Sequence, residues 1–202
     1  GLDNPSQPCR DYVDQGAFHN WTILETAYAD QGRVRNHLAE QAKGRWLAVM
    51  DGDDLCSENW LVEAAALLKS PDGARAIVHP ELNWVFDAGT YVYTNPPSSS
   101  NFFSHSVMST SNYYDAICVA PREAWLETKY AHRAVKQGFA YEDYQWAVEV
   151  TWKGWSHLVA RDTIIFKRRR DSSQTHEARK HRVSIRDIDA LAIDNVRKAW
   201  AQ

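Results

Sequence analysis

Apolar and polar positions along this chain follow two rhythms. Short continuous apolar runs, WTILET (Trp21 to Thr26), RWLAVM (Arg45 to Met50), ARAIVHP (Ala74 to Pro80) and DTIIFK (Asp162 to Lys167), read as strands. Runs of that length bounded by turn formers suit strands buried on both faces. Between them lie stretches with helical spacing. In QGRVRNHLAEQAKG, Val34, Leu38 and Ala42 share a face and Gly44 suits the C-terminal cap. Ser57 is placed to cap SENWLVEAAALLKS, and Pro71-Asp72-Gly73 ends that helix. AICVAPREAWLE reads as a strand and then a helix opened by Pro121, and YEDYQWAVEVTWKG as a helix with Gly154 after it. VSIRDIDALAIDNVRKAW, Val183 to Trp200, reads as a closing amphipathic helix with Ile185, Ile188, Leu191, Ala192 and Val196 inward. NWVFDAGTYVYT is strand or hairpin material and TNPPSSSN a loop. The turn-rich start holds one short helix near Cys9 to Gln15.

Strands alternating with helices predict an α/β fold: a mostly parallel central sheet flanked by helices, with a Rossmann-like nucleotide-binding half. Ligands of such sheets sit beyond the carboxyl ends of the strands. That is where DGDD falls, directly after RWLAVM. Asp51, Asp53 and Asp54 crowd three carboxylates into four positions. Such crowding is costly unless a cation neutralises it. Mg²⁺ and Mn²⁺ prefer a few carboxylates completed by phosphate oxygens and water, so an Asp-x-Asp pair points to a metal-bound phosphate. The competing reading is a solvated acidic turn; the buried strand before it and the capped helix after it favour a ligand.

Charge sharpens this. The net charge of -3 argues against nucleic acid as partner, but FKRRRDSSQTHEARKHR, Phe166 to Arg182, is strongly basic. A basic patch in a mildly acidic protein suits a small anion. Cys9, Cys56 and Cys118 show no metal-ligand spacing and read as reduced thiols of a cytosolic protein. LVEAAALL is too short to span a membrane and contains Glu63, so no transmembrane segment is expected. The start, GLDNP, carries no Met and reads as lying inside a longer reading frame or following a processing scar.

GRVRNHLAEQAKGRWLAVMDGDDLCSENWL resembles the central signature of the family 2 glycosyltransferases, an Arg-Asn pair opening a helix and an apolar strand running into Asp-x-Asp-Asp. YEDYQWAVEVTWKGW resembles the family's later Glu-Asp helix, the basic stretch after DTIIF its Arg-rich loop, and LDNPSQ its second-strand end. The resemblance implies a GT-A-like fold and a metal-dependent, inverting hexosyltransferase. It would move a sugar from a nucleotide-sugar donor, a UDP-sugar, to a hydroxyl of a carbohydrate or glycolipid acceptor in polysaccharide or glycoconjugate synthesis. It implies Mn²⁺ or Mg²⁺ as cofactor and a cytoplasmic location, the inner membrane face included. Residue by residue, Asp3 would contact the base, Arg35 the nucleotide, and Asp51 the ribose side. Asp53 would bind the metal, with His176 as a further ligand. Asp143, next to Glu142, would be the general base. Arg168 to Arg170 would lie near the diphosphate. Asn112 would contact the acceptor, with Asp115 an alternative acid there. The chemistry asks for these types independently: a diphosphate leaving group needs cations, and an acceptor hydroxyl needs a carboxylate.

Bland readings compete. Arg35 fits a helix-face ion pair, Glu142-Asp143 a helix start favoured by the dipole, Arg168 to Arg170 a solvated edge, and Trp146, Trp152 and Trp155 a core. The chain is expected to form a single domain, residues 1–202, part of a longer chain. Residues 1–55 form the nucleotide and metal half, 56–182 the acceptor and catalytic half, and 183–202 the closing helix. The family's first strand does not precede LDNPSQ, and Pro5 stands where the family has Gly. Two alternatives follow. WLAVMDGDDL also resembles the first motif of haloacid-dehalogenase-like phosphatases, although Leu55 stands where that motif has Thr or Val. A non-catalytic scaffold module of a larger protein is the other.

Overall fold

The computed structural model describes residues 2–4, 7, 10–11, 24–171 and 174–200, the side chains of 2, 175, 199 and 200 excepted. In chain order the elements are β1 (Leu2–Asp3), β2 (Glu25–Thr26), α1 (Gln31–Gln41), β3 (Trp46–Val49), β4 (Leu55–Cys56), α2 (Trp60–Lys69), β5 (Ala76–Asp87), β6 (Tyr91–Thr94), α3 (His105–Met108), β7 (Cys118–Pro121), α4 (Arg122–Glu127), α5 (Glu142–Trp152), β8 (Ser156–Arg169), α6 (Gln174–Lys180) and α7 (Ile193–Trp200). The main sheet has the order β3-β7-β5-β8-β4, with β6 added to β5. β1 and β2 form a separate parallel pair.

The α/β class holds and the expected strand direction holds in part. β3, β5 and β8 share one direction, and β5 and β8 pair in parallel from Ala76↔Ser156 to Asp87↔Arg169. β7 runs the other way between β3 and β5, with Val49 opposite Cys118. The sheet is therefore mixed rather than mostly parallel in its pairings. The reason is the path of the chain. The long excursion after β6 returns at the ligand end of the sheet, so β7 must start there and run back. The carboxyl ends of β3 and β8 and the amino end of β7 thus meet at one end.

Alternation along the strands sends side chains to two cores. On one face Ile77, Cys118 and Ala120 pack with Trp125, Tyr130, Trp146, Val150 and Trp155. Trp146 stacks on Trp125 and Tyr130 at centroid distances of 5.4 and 5.2 Å and donates its ring N–H to the Thr128 carbonyl. On the other face α2 lays Trp60, Ala64 and Leu68 against Val78, Val119, Ala160 and Ile165. Trp146 and Trp155 are core as expected, whereas Trp152, expected there too, is exposed.

Several boundaries move. Ser57 does not cap α2: its hydroxyl accepts from the Ile164 N–H at 3.1 Å and so ties β4 to β8. α1 ends with extended backbone at Ala42, before Gly44 is needed. The strand expected at 162–167 extends over Ser156–Arg169. The closing helix is confined to Ile193–Trp200. Residues 183–188 form an extended strap, followed by a 3-10 turn at Asp189–Leu191: Ser184 N–H donates to the Gly138 carbonyl and Ala140 N–H to the Ser184 carbonyl. These bonds to the segment before α5 outweigh the helical spacing of the apolar residues. The helix expected near Cys9 to Gln15 falls mostly outside the described residues, as does Trp21 to Ile23 of WTILET.

Candidate active site

A cleft of about 840 Å³ opens at the end of the sheet where β3, β7 and β8 converge. Its floor is the DGDD turn, closed by the Asp54 N–H donating to the Asp51 carbonyl. Asp51, Asp53 and Asp54 all line that floor. Each has a cation of this chain: Asp51 pairs with Arg35 at 2.8 Å, Asp53 with Arg170 at 2.8 Å, and Asp54 with Lys167 at 3.6 Å.

The three pairs differ in burial. Arg35 and Asp54 are well covered, whereas Arg170 is half-exposed. Asp54 accepts from the Arg168 N–H at 2.9 Å through Oδ1, and its buried Oδ2 has no hydrogen-bond partner among the described residues. Burial raises the Asp54 carboxyl above its ordinary value, with Asp51 and Asp53 adding to the rise; Lys167 and the Arg168 N–H oppose it. Lys167 also holds Asp115 at 3.1 Å. Asp115 accepts from the Tyr93 hydroxyl at 2.7 Å and the Ile117 N–H at 2.8 Å. Burial works to raise Asp115, but Lys167 and these bonds outweigh it and hold the acid below the usual range. Burial works to lower Lys167, and Asp115 and Asp54 outweigh that too, so it stays charged.

Across the cleft, α5 begins with Glu142 and Asp143. Tyr141 before them adopts the left-handed conformation, φ 62° and ψ 49°, which side-chain-bearing residues rarely take. Glu142 is buried and pairs with Arg35 at 3.3 Å. Asp143 lines the cleft half-buried and accepts from the Tyr144 N–H at 2.9 Å. Burial raises both carboxyls. Asp143 also raises Glu142, and Arg35 opposes both shifts. An aspartate above its ordinary value in a cleft is a better proton acceptor than a solvated one.

Arg35 is therefore a clamp: it bridges Asp51 and Glu142 and lies over the Tyr130 ring at 5.3 Å. Burial works to lower its pKa, but Asp51, Tyr130, Glu142 and Asp143 raise it on balance. Arg168 lines the cleft with its Nε donating to Asp87 at 2.9 Å. Asn112 lines it too, its Oδ1 accepting from the Tyr114 N–H at 3.0 Å. Two expected residues lie outside this lining. Asp3, at the end of β1, accepts from the Thr26 hydroxyl and the Tyr28 N–H, both at 2.8 Å. His176 lies exposed on α6. Among the described residues no three His, Cys, Asp or Glu side chains converge as a metal cluster. Sequence reasoning missed Lys167 as the hub of the floor, and Tyr141. The only signal for Lys167 was its place at the head of the basic run.

Residues 2–100 match the family described as Glycosyl transferase family 2. Among solved structures, S. aureus TarS 1-349 in complex with UDP-GlcNAc superposes with a TM-score of 0.63 at 13% identity, over 86% of this chain and 50% of that one. GalNAc-T7 with UDP, GalNAc and Mn²⁺ gives 0.55 at 13% identity, over 82% of this chain and 35% of that one. Likeness at this identity is a likeness of fold. This chain spans half or less of the length of those two. No curated protein matches it.

Proposed function

We propose that this chain, whose residues 2–100 match Glycosyl transferase family 2 and whose fold is that of the two glycosyltransferase structures it superposes on, moves a sugar from a nucleotide-sugar to an acceptor hydroxyl with inversion. The donor is a UDP-sugar and the acceptor a carbohydrate or glycolipid. The phosphatase alternative falls with the family match. The observation that carries the proposal is the cleft itself. It sets an elevated carboxyl, Asp143, opposite an aspartate turn and a run of basic residues from β8.

In this reading Asp143 takes the proton from the acceptor hydroxyl as its oxygen attacks the anomeric carbon. The bond from that carbon to the diphosphate oxygen breaks, and the electron pair leaves on the diphosphate. Arg168 and Arg170 receive that negative charge. Glu142 and Arg35 hold the start of α5 and the DGDD turn at a fixed separation. The donor set suits a hard divalent cation: Asp53 presents a part-exposed carboxylate to the cleft. Asp53 would hold Mn²⁺ or Mg²⁺, and the ion would neutralise diphosphate charge. Asp51 faces the ribose side, Asp3 the base and Asn112 the acceptor. One domain spans residues 1–202, divided at 55 and 182 into nucleotide half, catalytic half and closing segment. No helix among the described residues is long and apolar enough to cross a membrane. The place of work in this reading is the cytoplasm, the inner membrane face included.

The test is Asp143→Asn. UDP with Mn²⁺ should still raise its melting midpoint as in the parent. Transfer, followed over a panel of UDP-sugars and simple glycoside acceptors, should fall by about 10²-fold or more. Unchanged turnover removes Asp143 as the base.

A further inference from the structure

The three ion pairs of the DGDD turn are not equivalent, and the difference bears on how ligands enter. Arg35 holds Asp51 from a site where its own side chain is 9% exposed, and it is also committed to Glu142. Lys167 is committed to both Asp115 and Asp54. Both cations are built in, and both carboxylates behind them are engaged. Arg170 is different. It sits at the mouth of the cleft just past the end of β8, its side chain 55% exposed, and its contact with the turn is the 2.8 Å pair with Asp53. Asp53 is thus the acid of the turn whose cation can leave without unmaking the floor.

We propose that Arg170 is an exchangeable counter-ion: it occupies Asp53 until a divalent cation arrives with a diphosphate, and then moves from the carboxylate to the phosphates. This rests on the metal reading of Asp53. Its consequence is coupling. A cation arriving alone must displace Arg170 and strand a guanidinium next to a dication. Arriving with a diphosphate, the cation brings the anion that Arg170 needs. The chain should therefore bind metal and nucleotide as a unit and each alone poorly. The exposed pair is weak enough to exchange readily, since such pairs contribute on the order of 1 kcal/mol or less.

The experiment is titration of the whole chain with Mn²⁺ alone, followed by the loss of the free Mn²⁺ paramagnetic signal, and then with Mn²⁺ in the presence of UDP. Three chains are compared: the parent, Arg170→Gln and Asp53→Asn. In the parent, UDP should tighten Mn²⁺ binding at least about tenfold, within the range of ordinary coupling. In Arg170→Gln, Mn²⁺ alone should bind about two- to fivefold tighter, the most that losing an exposed pair can release. In the same variant UDP should tighten Mn²⁺ binding less than it does in the parent. That opposite movement is the signature; a residue serving only the fold would weaken both. Equal or weaker binding of Mn²⁺ alone by Arg170→Gln overturns the exchange. Asp53→Asn separates the two ideas. If it abolishes Mn²⁺ binding while Arg170→Gln changes nothing, the exchange alone fails. If it binds Mn²⁺ like the parent, the metal reading of Asp53 fails and the exchange with it.

Discussion

Replacing Arg35 by Met tests the clamp between the two halves of the cleft. Arg35 and Glu142 have side chains 9% and 7% exposed, 3.3 Å apart, so Arg35→Met leaves a buried carboxylate without its nearest cation. Breaking such a pair from one side costs about 3–5 kcal/mol. Asp51 is 32% exposed and can turn to water, so it adds at most about 1 kcal/mol. The expected loss is therefore about 3–6 kcal/mol, which for a chain of this size lowers the melting midpoint by about 6–24 °C. Urea unfolding of the ligand-free chain, followed by circular dichroism at neutral pH, measures it. Two further outcomes identify the cause. The double variant Arg35→Met, Glu142→Gln should recover much of the loss, because a neutral amide needs no cation. The deficit of the single variant should also shrink on acidification. Glu142 is already raised by burial and Asp143, and without Arg35 it rises further. A folded-state pKa above the unfolded one gives stability that is present below the unfolded value and lost as pH rises through the folded one. A loss below about 1 kcal/mol, or a double variant no more stable than the single, refutes the clamp.

The left-handed backbone at Tyr141 costs about 1–2 kcal/mol for a residue with a Cβ, and Gly escapes that cost. Tyr141→Gly should therefore be more stable than Tyr141→Ala by about 1 kcal/mol; the reverse order in urea would remove the strain. The buried His79, held by Nε2 against His157 Nδ1 at 2.8 Å, has its pKa lowered to about 4 by burial. Its stabilising effect is complete above the unfolded value of about 6.5 and lost as pH falls toward 4. That loss is about 3 kcal/mol. His79→Gln should flatten the urea midpoint between pH 7.5 and pH 5 relative to the parent, and equal slopes would refute it.

What was legible in the chain was local. RWLAVM announced β3 because a short apolar run between a Gly and an acidic turn leaves little choice. Glu142-Asp143 announced the start of α5 for the same kind of reason. The direction of β7 was not legible, because CVAP carries no arrow. Its reversal follows from where residues 95–117 bring the chain back. The closing segment misled for a related reason. Ile185, Ile188 and Leu191 have helical spacing, yet Ile188 and Leu191 pack against Met108, Tyr114 and Val148 with the chain extended ahead of the turn. Bonds from Ser184 to residues 138–140 hold it so, and no local rule encodes them.

The crowding of DGDD marks the limit of reading and also its use. Three carboxylates in a turn demand positive charge, and that demand is visible in four letters. Which charge answers is not visible, because the answers come from α1 on one side and from the end of β8 on the other. Arg35 and Lys167 are each shared with a second acid, Glu142 and Asp115, so the turn is wired to α5 and to the start of β7. The aspartates thus serve two ends at once. Asp51 joins the turn to α1 and Asp54 joins it to β8, and Asp53, facing the cleft with an exposed partner, remains for exchange. A substitution at Asp54 should therefore perturb the fold before it perturbs a ligand, while one at Asp53 should do the opposite. That division, rather than the acidity of the turn, is what makes Asp53 the residue on which the metal reading depends.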